Sequence, residues 1–246
     1  MAMKRKKKSG GIIRRVFKWA LKIFLVFLLI QIVTILLFRW VPVPITPLIV
    51  IRGYEKLSSG KMIGYHKDWV SWDEISDHSK AAVISSEDQR FLDHYGFDLK
   101  AIEKAIEYNE KQQEKGSTKR RGASTISQQT AKNLFLWPGR SWLRKGLEVM
   151  YTSLIELLWS KKRILEVYLN IIELGDGVYG VEAASQLYFK KSAAKLNRDE
   201  AALLAAVLPS PRKYSATKPG PYIKRRKEWI KRQMRNQPEL YEWAER

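Results

Sequence analysis

The sequence predicts a mainly α-helical protein with a single transmembrane helix at its N-terminus. Two observations lead to this prediction: residues 16–38 form an apolar stretch of 23 residues, and later apolar residues recur at helical spacing. Alternation typical of β-strands is scarce and is best seen in residues 48–51. About 206 residues follow the apolar stretch and its flank, which is enough for one domain of ordinary size.

The N-terminal segment combines a basic start with an apolar core. Seven Lys or Arg residues lie within residues 1–15, directly before the apolar stretch. At about 1.5 Å per residue, such a stretch can cross a hydrocarbon core about 30 Å thick. A buried helix of a soluble domain rarely has flanks this basic, and a cleaved signal peptide has a shorter apolar core and a small-residue cleavage site. The positive-inside rule therefore predicts a single-pass anchor with a cytoplasmic N-terminus and an extracytoplasmic domain.

This interpretation divides the chain into four parts. They are a cytoplasmic basic tail (1–15), a transmembrane anchor (16–38), a stalk and membrane-proximal segment (39–60) and a globular domain (61–246). The proline-rich residues 41–47 are predicted to form a stiff stalk. Residues 111–121 are polar and rich in lysine, which predicts an exposed loop and a candidate lid.

The formal net charge of +20 raises the question of nucleic-acid binding. Eleven of the 45 Lys and Arg residues precede Glu55, the first acidic residue, so more than half of the excess charge lies in and beside the anchor. The sequence therefore predicts no nucleic-acid partner. The remaining excess suits an anionic substrate or membrane surface, with a merely solvated basic surface as the alternative. The absence of cysteine excludes disulfides and thiolate nucleophiles.

Several helix boundaries can be read from capping residues. Asp98 is predicted to cap a helix that ends at Gly116, and Ser141 is predicted to cap a second helix. Asn197 and Glu200 have the spacing of a capping box before an alanine- and leucine-rich helix.

Five polar clusters stand out from the helical pattern. They lie at residues 87–96, 122–133, 144–148, 164–170 and 180–189. Together they offer two separated carboxylates, a set of amide and hydroxyl groups, and a series of cations. These groups suit the transfer of a sugar from an anionic leaving group.

The first carboxylate is Glu87, which follows the apolar residues 81–84. A carboxylate at the end of an apolar helix can be partly desolvated and can act as a base, although an ordinary solvated acid is the alternative. His94 in the same cluster is predicted to be a structural hydrogen-bonding residue rather than a ligand or base.

The second carboxylate, Glu148, lies four residues after Arg144 on the helix predicted from Ser141. Thr152 and Glu156 continue the same polar stripe, and a surface Arg–Glu pair is the alternative to a functional site. A nearby group of cations favours the functional site because it could hold a diphosphate: Lys132, Arg140, Arg144 and Lys145.

The second cluster also carries hydroxyl and amide groups. They are Ser124, Thr125, Gln128 and Gln129. A helix N-cap with an exposed helix face would explain them, but their position beside Lys132 favours binding of a sugar substrate.

In their order and residues, the five clusters resemble the motifs of the peptidoglycan glycosyltransferase family, whose domain also stands at the front of bifunctional penicillin-binding proteins. The likeness covers about residues 75–215 and is strongest to the monofunctional, membrane-anchored members. It implies a lysozyme-like, two-lobed, mainly α-helical fold with a smaller membrane-associated lobe. The short sequence after the match leaves no room for a transpeptidase domain.

The resemblance also implies roles for individual residues. Glu87 corresponds to the catalytic base and Glu148 to the second essential glutamate. The cations Lys132, Arg140, Arg144 and Lys145 correspond to holders of the donor phosphates, and Ser124, Thr125, Gln128 and Gln129 to the second motif.

The implied reaction is an inverting polymerisation of lipid-linked disaccharide pentapeptide at the bacterial inner membrane. Expected partners are this substrate, the growing glycan strand and membrane lipid, with proteins of cell wall synthesis or division as further candidates. No cofactor is required by this chemistry, although a divalent cation, Mg²⁺ or Mn²⁺, could assist the leaving diphosphate. A lysozyme-like hydrolase and a membrane-tethered wall-binding protein are the alternatives. Lys132 and Arg140 favour the synthase, because cleavage of finished glycan needs no phosphate contacts.

Overall fold

A computed structural model describes residues 9–60, 62, 64–139 and 141–245, and it divides into two units, residues 1–41 and 42–246. The first unit contains helix α1 (Ser9–Phe38). Within it, Arg14–Phe38 is long and apolar enough to cross a membrane, with a mean hydropathy of 2.8. The predicted apolar helix is therefore present, while most of the basic tail lies outside the described residues.

The second unit is mainly helical, as predicted. Its α-helices within the described residues are α2 (Pro47–Ser58), α3 (Asp77–Glu87), α4 (Leu99–Glu114), α5 (Ile126–Phe135), α6 (Trp142–Leu158), α7 (Lys161–Ile171), α8 (Val181–Phe189), α9 (Arg198–Val207), α10 (Pro221–Asn236) and α11 (Glu239–Glu245). Short 3-10 helices lie at Trp72–Glu74 and Ala193–Lys195.

Two groups of helices form the interior of this unit. Helix α5 packs against α6 and α7, while α9 packs against α3 and α10, and α11 also packs against α3. Apolar side chains of these helices fill the interior, and Ile84, Ile126, Ile155 and Leu165 are all fully buried. The end of α3 meets the start of α5, where Glu87 accepts a hydrogen bond from Gln129 and Asp88 accepts one from the Ile126 N–H. These contacts bring the first and second polar clusters together.

A small three-stranded sheet was not predicted. Strands β1 (His66–Lys67), β2 (Glu173–Gly175) and β3 (Val178–Tyr179) have the order β1-β3-β2, with β1 parallel and β2 antiparallel to β3. Strands of two or three residues are too short to show alternation in the sequence. Gly180 follows β3 with φ +83°, and a Cβ there would lie 2.7 Å from the Asn170 carbonyl oxygen, so this position requires glycine.

The predicted helix caps are confirmed. The Asp98 carboxylate accepts a hydrogen bond from the Ala101 N–H at 3.0 Å, and the Ser141 hydroxyl accepts one from the Arg144 N–H at 3.2 Å. Asn197 and Glu200 form the predicted reciprocal capping box.

One prediction about local structure is wrong, and a second is wrong only for residues 111–114, since residues 115–121 form the mostly exposed, non-helical segment that was predicted. Residues 48–51 are helical rather than strand-like, because Thr46 caps α2 and Pro47 supplies a favourable first helical residue. Residues 111–114 continue α4 rather than opening a loop; the helix ends just before Gly116, whose φ of +65° suits the helix end.

The predicted stalk is held against the domain. Residues 42–46 have no regular secondary structure, and Val43 and Thr46 are buried. The Lys67 ammonium also donates a hydrogen bond to the Val43 carbonyl at 2.7 Å. The four-part division of the chain stays a prediction.

Candidate active site

Two cavities open beside the polar clusters of the second unit. The Glu87 cavity, of about 720 Å³, is bounded by the end of α3, the start of α4, the segment before α5, and α10. The Glu148 cavity, of about 520 Å³, is bounded mainly by α5, the segment after it, and α6. Ser124 and Gln129 line both cavities and therefore stand at the boundary between them.

Glu87 is the last residue of α3 and is half-buried. Its Oε1 accepts a hydrogen bond from the Ser86 hydroxyl at 3.2 Å, and its Oε2 accepts one from the Gln129 amide at 3.0 Å. Both donors are neutral. A carboxylate has about four acceptor positions, so two neutral donors leave capacity to take up a proton.

The amide of Gln129 is held from its other side by Tyr168 of α7. The Tyr168 hydroxyl is fully buried and donates to Gln129 Oε1 at 3.1 Å. Burial raises the pKa of Tyr168, and the nearby Glu87 and Asp88 carboxylates raise it further, so the hydroxyl keeps its proton. Gln129 thus presents its N–H group to Glu87.

Glu148 lies in a different environment on α6. It is only 3% exposed, and its Oε2 accepts a hydrogen bond from Arg144 Nη1 at 2.8 Å while its Oε1 contacts the Lys145 ammonium. The alternative of a surface Arg–Glu pair is thereby excluded. Both oxygens of this carboxylate are engaged by cations. The same contacts hold the Arg144 and Lys145 side chains along one wall of the cavity.

Lys132 of α5 lies in the same Glu148 cavity. Burial lowers the pKa of Lys132; Glu148 opposes this change, whereas Arg144 and Lys145 add to it. Three of the four predicted cations therefore meet in one cavity, and an anionic group would relieve their mutual repulsion. Arg140, the fourth, lies outside the described residues.

The predicted residues of the second cluster differ in burial and in their contacts. Thr125 is the N-cap of α5, and it forms a capping box with Gln128 while its hydroxyl donates to the Gly96 carbonyl at 2.7 Å. Both residues are buried, and Gln128 lines the Glu148 cavity as well. Ser124 is exposed at the cavity boundary. Substrate binding by these residues stays a prediction, with Thr125 and Gln128 also serving the helix start.

A buried pair joins the first cluster to the second. His94 Nε2 lies 3.0 Å from Asp88 Oδ1, and Asp88 Oδ2 accepts a hydrogen bond from the Ile126 N–H at 3.0 Å. The negative charge of Asp88 therefore lies at the N-terminus of α5, where the helix dipole favours it. This geometry gives His94 the structural role that was predicted for it.

Sequence reasoning missed the residues that stand behind Glu87. Tyr168 lies in the cluster at residues 164–170, but nothing in its spacing links it to Gln129. Arg226 of α10 lies beyond the five clusters; its Nη2 donates to the Ser86 carbonyl at 3.1 Å and the Ser86 hydroxyl at 3.3 Å. Further cations of the Glu87 cavity were also missed: Lys100, Lys104, Arg120 and Arg121.

No group of three or more His, Cys, Asp or Glu residues is arranged to hold a metal ion within the described part of the chain. Glu148, which lines the cavity predicted to hold the diphosphate, is already engaged by two cations. Assistance by Mg²⁺ or Mn²⁺ stays a prediction.

Comparisons with known proteins agree with this arrangement. The family model described as Transglycosylase matches residues 57–235. The chain is 54% identical to the biosynthetic peptidoglycan transglycosylase of Cronobacter sakazakii over 230 residues, which cover 93% of each chain. It is also 54% identical over 206 residues to the protein of the same name from Bdellovibrio bacteriovorus, covering 84% of this chain and 80% of the relative. The corresponding Pseudomonas aeruginosa protein is 50% identical over 222 residues, covering 90% of this chain and 94% of the relative.

Proposed function

The chain belongs to the transglycosylase family, and we propose that it is a peptidoglycan glycosyltransferase that joins lipid-linked disaccharide pentapeptides into β-1,4 glycan strands. One observation supports this function above the others. A carboxylate with neutral hydrogen-bond donors lines one cavity, a cluster of cations lines the next, and Gln129 and Ser124 stand between them.

In the proposed reaction, Glu87 removes the proton from the 4-hydroxyl of the acceptor's N-acetylglucosamine. The hydroxyl oxygen attacks C1 of the donor's N-acetylmuramic acid, and the bond from C1 to the polyprenyl diphosphate breaks on the opposite face. The α-linked donor therefore yields a β-linked product. Glu87 suits the role of base because its donors are neutral and leave room for a proton.

The diphosphate leaves on the side of the Glu148 cavity. Lys132, Arg144 and Lys145 stabilise its developing negative charge, which fixed cations do best where water is largely excluded. Glu148 orients Arg144 and Lys145 through its two oxygens. Its role is therefore to arrange the cations rather than to exchange a proton.

The acceptor occupies the Glu87 cavity. Its wall carries Lys100, Lys104, Arg120 and Arg121, which suit a second lipid-linked substrate that also has a diphosphate. The Asn109 side chain holds the chain before α5, since it donates to the Arg121 carbonyl and accepts from the Arg121 N–H at 2.7 Å. This arrangement keeps two of the cations at the cavity rim.

A lysozyme-like hydrolase would also use two carboxylates, but it would act on uncharged glycosidic bonds. The two cation-lined cavities favour the synthase, and a wall-binding protein would need neither. The test is incubation of the full-length protein with purified lipid-linked disaccharide pentapeptide, followed by gel separation of the products. Polymer of increasing length supports the proposal. Breakdown of finished glycan without polymerisation would favour the hydrolase.

We further propose that α1 anchors the enzyme in the bacterial inner membrane with its N-terminus in the cytoplasm. Trp142 and Leu143, which are 93% and 71% exposed, begin the helix that carries Arg144, and we expect them to contact membrane lipid or the polyprenyl chain.

The topology of the anchor can be tested directly. A reporter that is active only outside the cytoplasm, fused after residue 246, should be active. An inactive reporter would contradict this topology.

A further inference from the structure

The two oxygens of Glu87 are held by different parts of the fold. Ser86, the preceding residue of α3, donates to Oε1, and Gln129 of α5 donates to Oε2. The Ser86 hydroxyl hydrogen has one other acceptor, the Ala205 carbonyl at 3.5 Å, but the Glu87 oxygen is nearer at 3.2 Å and is charged. The carboxylate is therefore restrained at both oxygens.

A second residue stands behind each of these donors. Arg226 of α10 donates from Nη2 to the Ser86 hydroxyl at 3.3 Å and the Ser86 carbonyl at 3.1 Å. Tyr168 of α7 donates to the amide oxygen of Gln129 at 3.1 Å. The two supports come from α7 and α10, which both follow α3 and α5 in the sequence. Tyr168 donates to Gln129 and Arg226 donates to Ser86, so each acts on Glu87 through an intermediate residue.

Every hydrogen bond in these two chains points toward Glu87. Because Arg226 can only donate, the Ser86 oxygen accepts from it and the Ser86 hydrogen is free to face Glu87. Because the buried Tyr168 hydroxyl donates to Gln129 Oε1, the amide N–H of Gln129 faces Oε2. Consecutive hydrogen bonds of the same direction strengthen each other.

We propose that Arg226 and Tyr168 are positioning residues that fix the Glu87 carboxylate, each through one oxygen, so that it can accept the proton of the acceptor hydroxyl. This inference rests on the proposed function and deepens it. It adds to the site a residue of α10, which lies beyond the five clusters. The packing of α10 against α3 and α9 would thereby contribute directly to the geometry of the base.

Arg226 also lines the Glu87 cavity, so a direct contact with the substrate is the competing explanation. The two explanations differ in their kinetics. A positioning residue affects the step in which Glu87 takes the proton, so its loss lowers kcat. A residue that binds substrate equally before and during reaction affects KM.

The test uses the full-length protein with purified lipid-linked disaccharide pentapeptide. Arg226→Met keeps the aliphatic stem but removes the donors, and Tyr168→Phe removes only the hydroxyl. We expect each to lower kcat about 10-fold with KM unchanged, which is the scale of one hydrogen bond to a charged group. Arg226→Lys, which keeps a charged donor, should recover part of the lost kcat.

Two matched controls lie outside the proposed chains. Arg225→Met changes the same charge on the same helix at an exposed position, and Tyr241→Phe removes a hydroxyl that lies 3.3 Å from His78 Nδ1, outside the clusters and both cavities. Both should leave kcat and KM unchanged. Thermal unfolding of every variant separates loss of positioning from loss of folding.

Double variants test the assignment of oxygens. Arg226→Met combined with Ser86→Ala should cost little more than the larger single effect, because both act through Oε1. Arg226→Met combined with Tyr168→Phe should lower kcat about 100-fold, because two separate oxygens are released. A higher KM with unchanged kcat, or wild-type kinetics in a folded Arg226→Met variant, would overturn the inference. A wild-type protein that forms no polymer would overturn the proposed function itself.

Discussion

The two carboxylates of the site have opposite surroundings. Glu87 is half-buried at a helix end and accepts hydrogen bonds from neutral groups, whereas Glu148 is buried in mid-helix and its oxygens face two cations. The oxygens of Glu148 are occupied by Arg144 and Lys145, whereas those of Glu87 face the cavity beside neutral donors. These surroundings suit the two glutamates to the different roles proposed for them, Glu87 as base and Glu148 as organiser of the phosphate-binding cations.

The largest effect is expected from Glu87→Gln. Glutamine preserves the shape of the side chain but removes the proton acceptor, so polymerisation should fall at least about 10²-fold while lipid-substrate binding persists. Rates and substrate affinity measured on the same preparation check this. The matched control is Glu107→Gln on α4, an exposed carboxylate outside the five clusters and both cavities, which should keep the wild-type rate. Near wild-type turnover in the folded Glu87 variant would show that the two carboxylates do not divide the work in this way.

Lys132→Ala should come next, with a polymerisation rate lowered about 10²-fold through lost stabilisation of the leaving diphosphate. Alanine is the best helix former, so α5 should remain intact, and circular dichroism checks that. The family resemblance implies that a phosphoglycolipid inhibitor of the moenomycin type occupies the donor site, and its affinity should fall in the same variant. Unchanged rate and unchanged inhibitor affinity would remove Lys132 from the donor site.

Glu148→Gln should lower the free energy of unfolding more than Glu87→Gln does. It leaves Arg144, 9% exposed, without its charged partner, so the free energy of unfolding should fall on the order of 3 kcal/mol. Glu87→Gln breaks no ion pair and should cost much less. Denaturant titration in detergent measures both, with Glu228→Gln on the exposed face of α10 as the control. Equal losses for the Glu87 and Glu148 variants would contradict the comparison.

The smallest effect concerns pH and Lys132. Burial lowers its pKa, so its ammonium loses the proton at a lower pH than an exposed lysine would. If the charged form holds the diphosphate, polymerisation should decline as the pH rises through that pKa. Lys132→Arg stays protonated and should retain its own maximal rate to higher pH. If the polymerisation rates of the wild type and the Lys132→Arg variant declined at the same alkaline pH, Lys132 would not be the group that causes the decline.

The sequence by itself determined the parts of the molecule that depend on neighbours along the chain. The apolar helix, the caps at Asp98 and Ser141, and the helix end at Gly116 are local features, because each is made by residues within about one helical turn of each other. The pairing of Arg144 with Glu148 belongs to the same class, since four residues on a helix place both side chains on one face. The motif resemblance supplied the family.

Only the tertiary structure decided how the helix ends meet. Tyr168 reaches Gln129 across 39 positions of sequence, and Arg226 reaches Ser86 across 140. Such contacts leave no periodic signal, because they depend on how α7 and α10 pack rather than on the spacing within either helix. Residues 48–51 differ from their predicted structure for another reason: their β-branched composition favours a strand, but the local cap at Thr46 and the burial of Ile49 stabilise a helix.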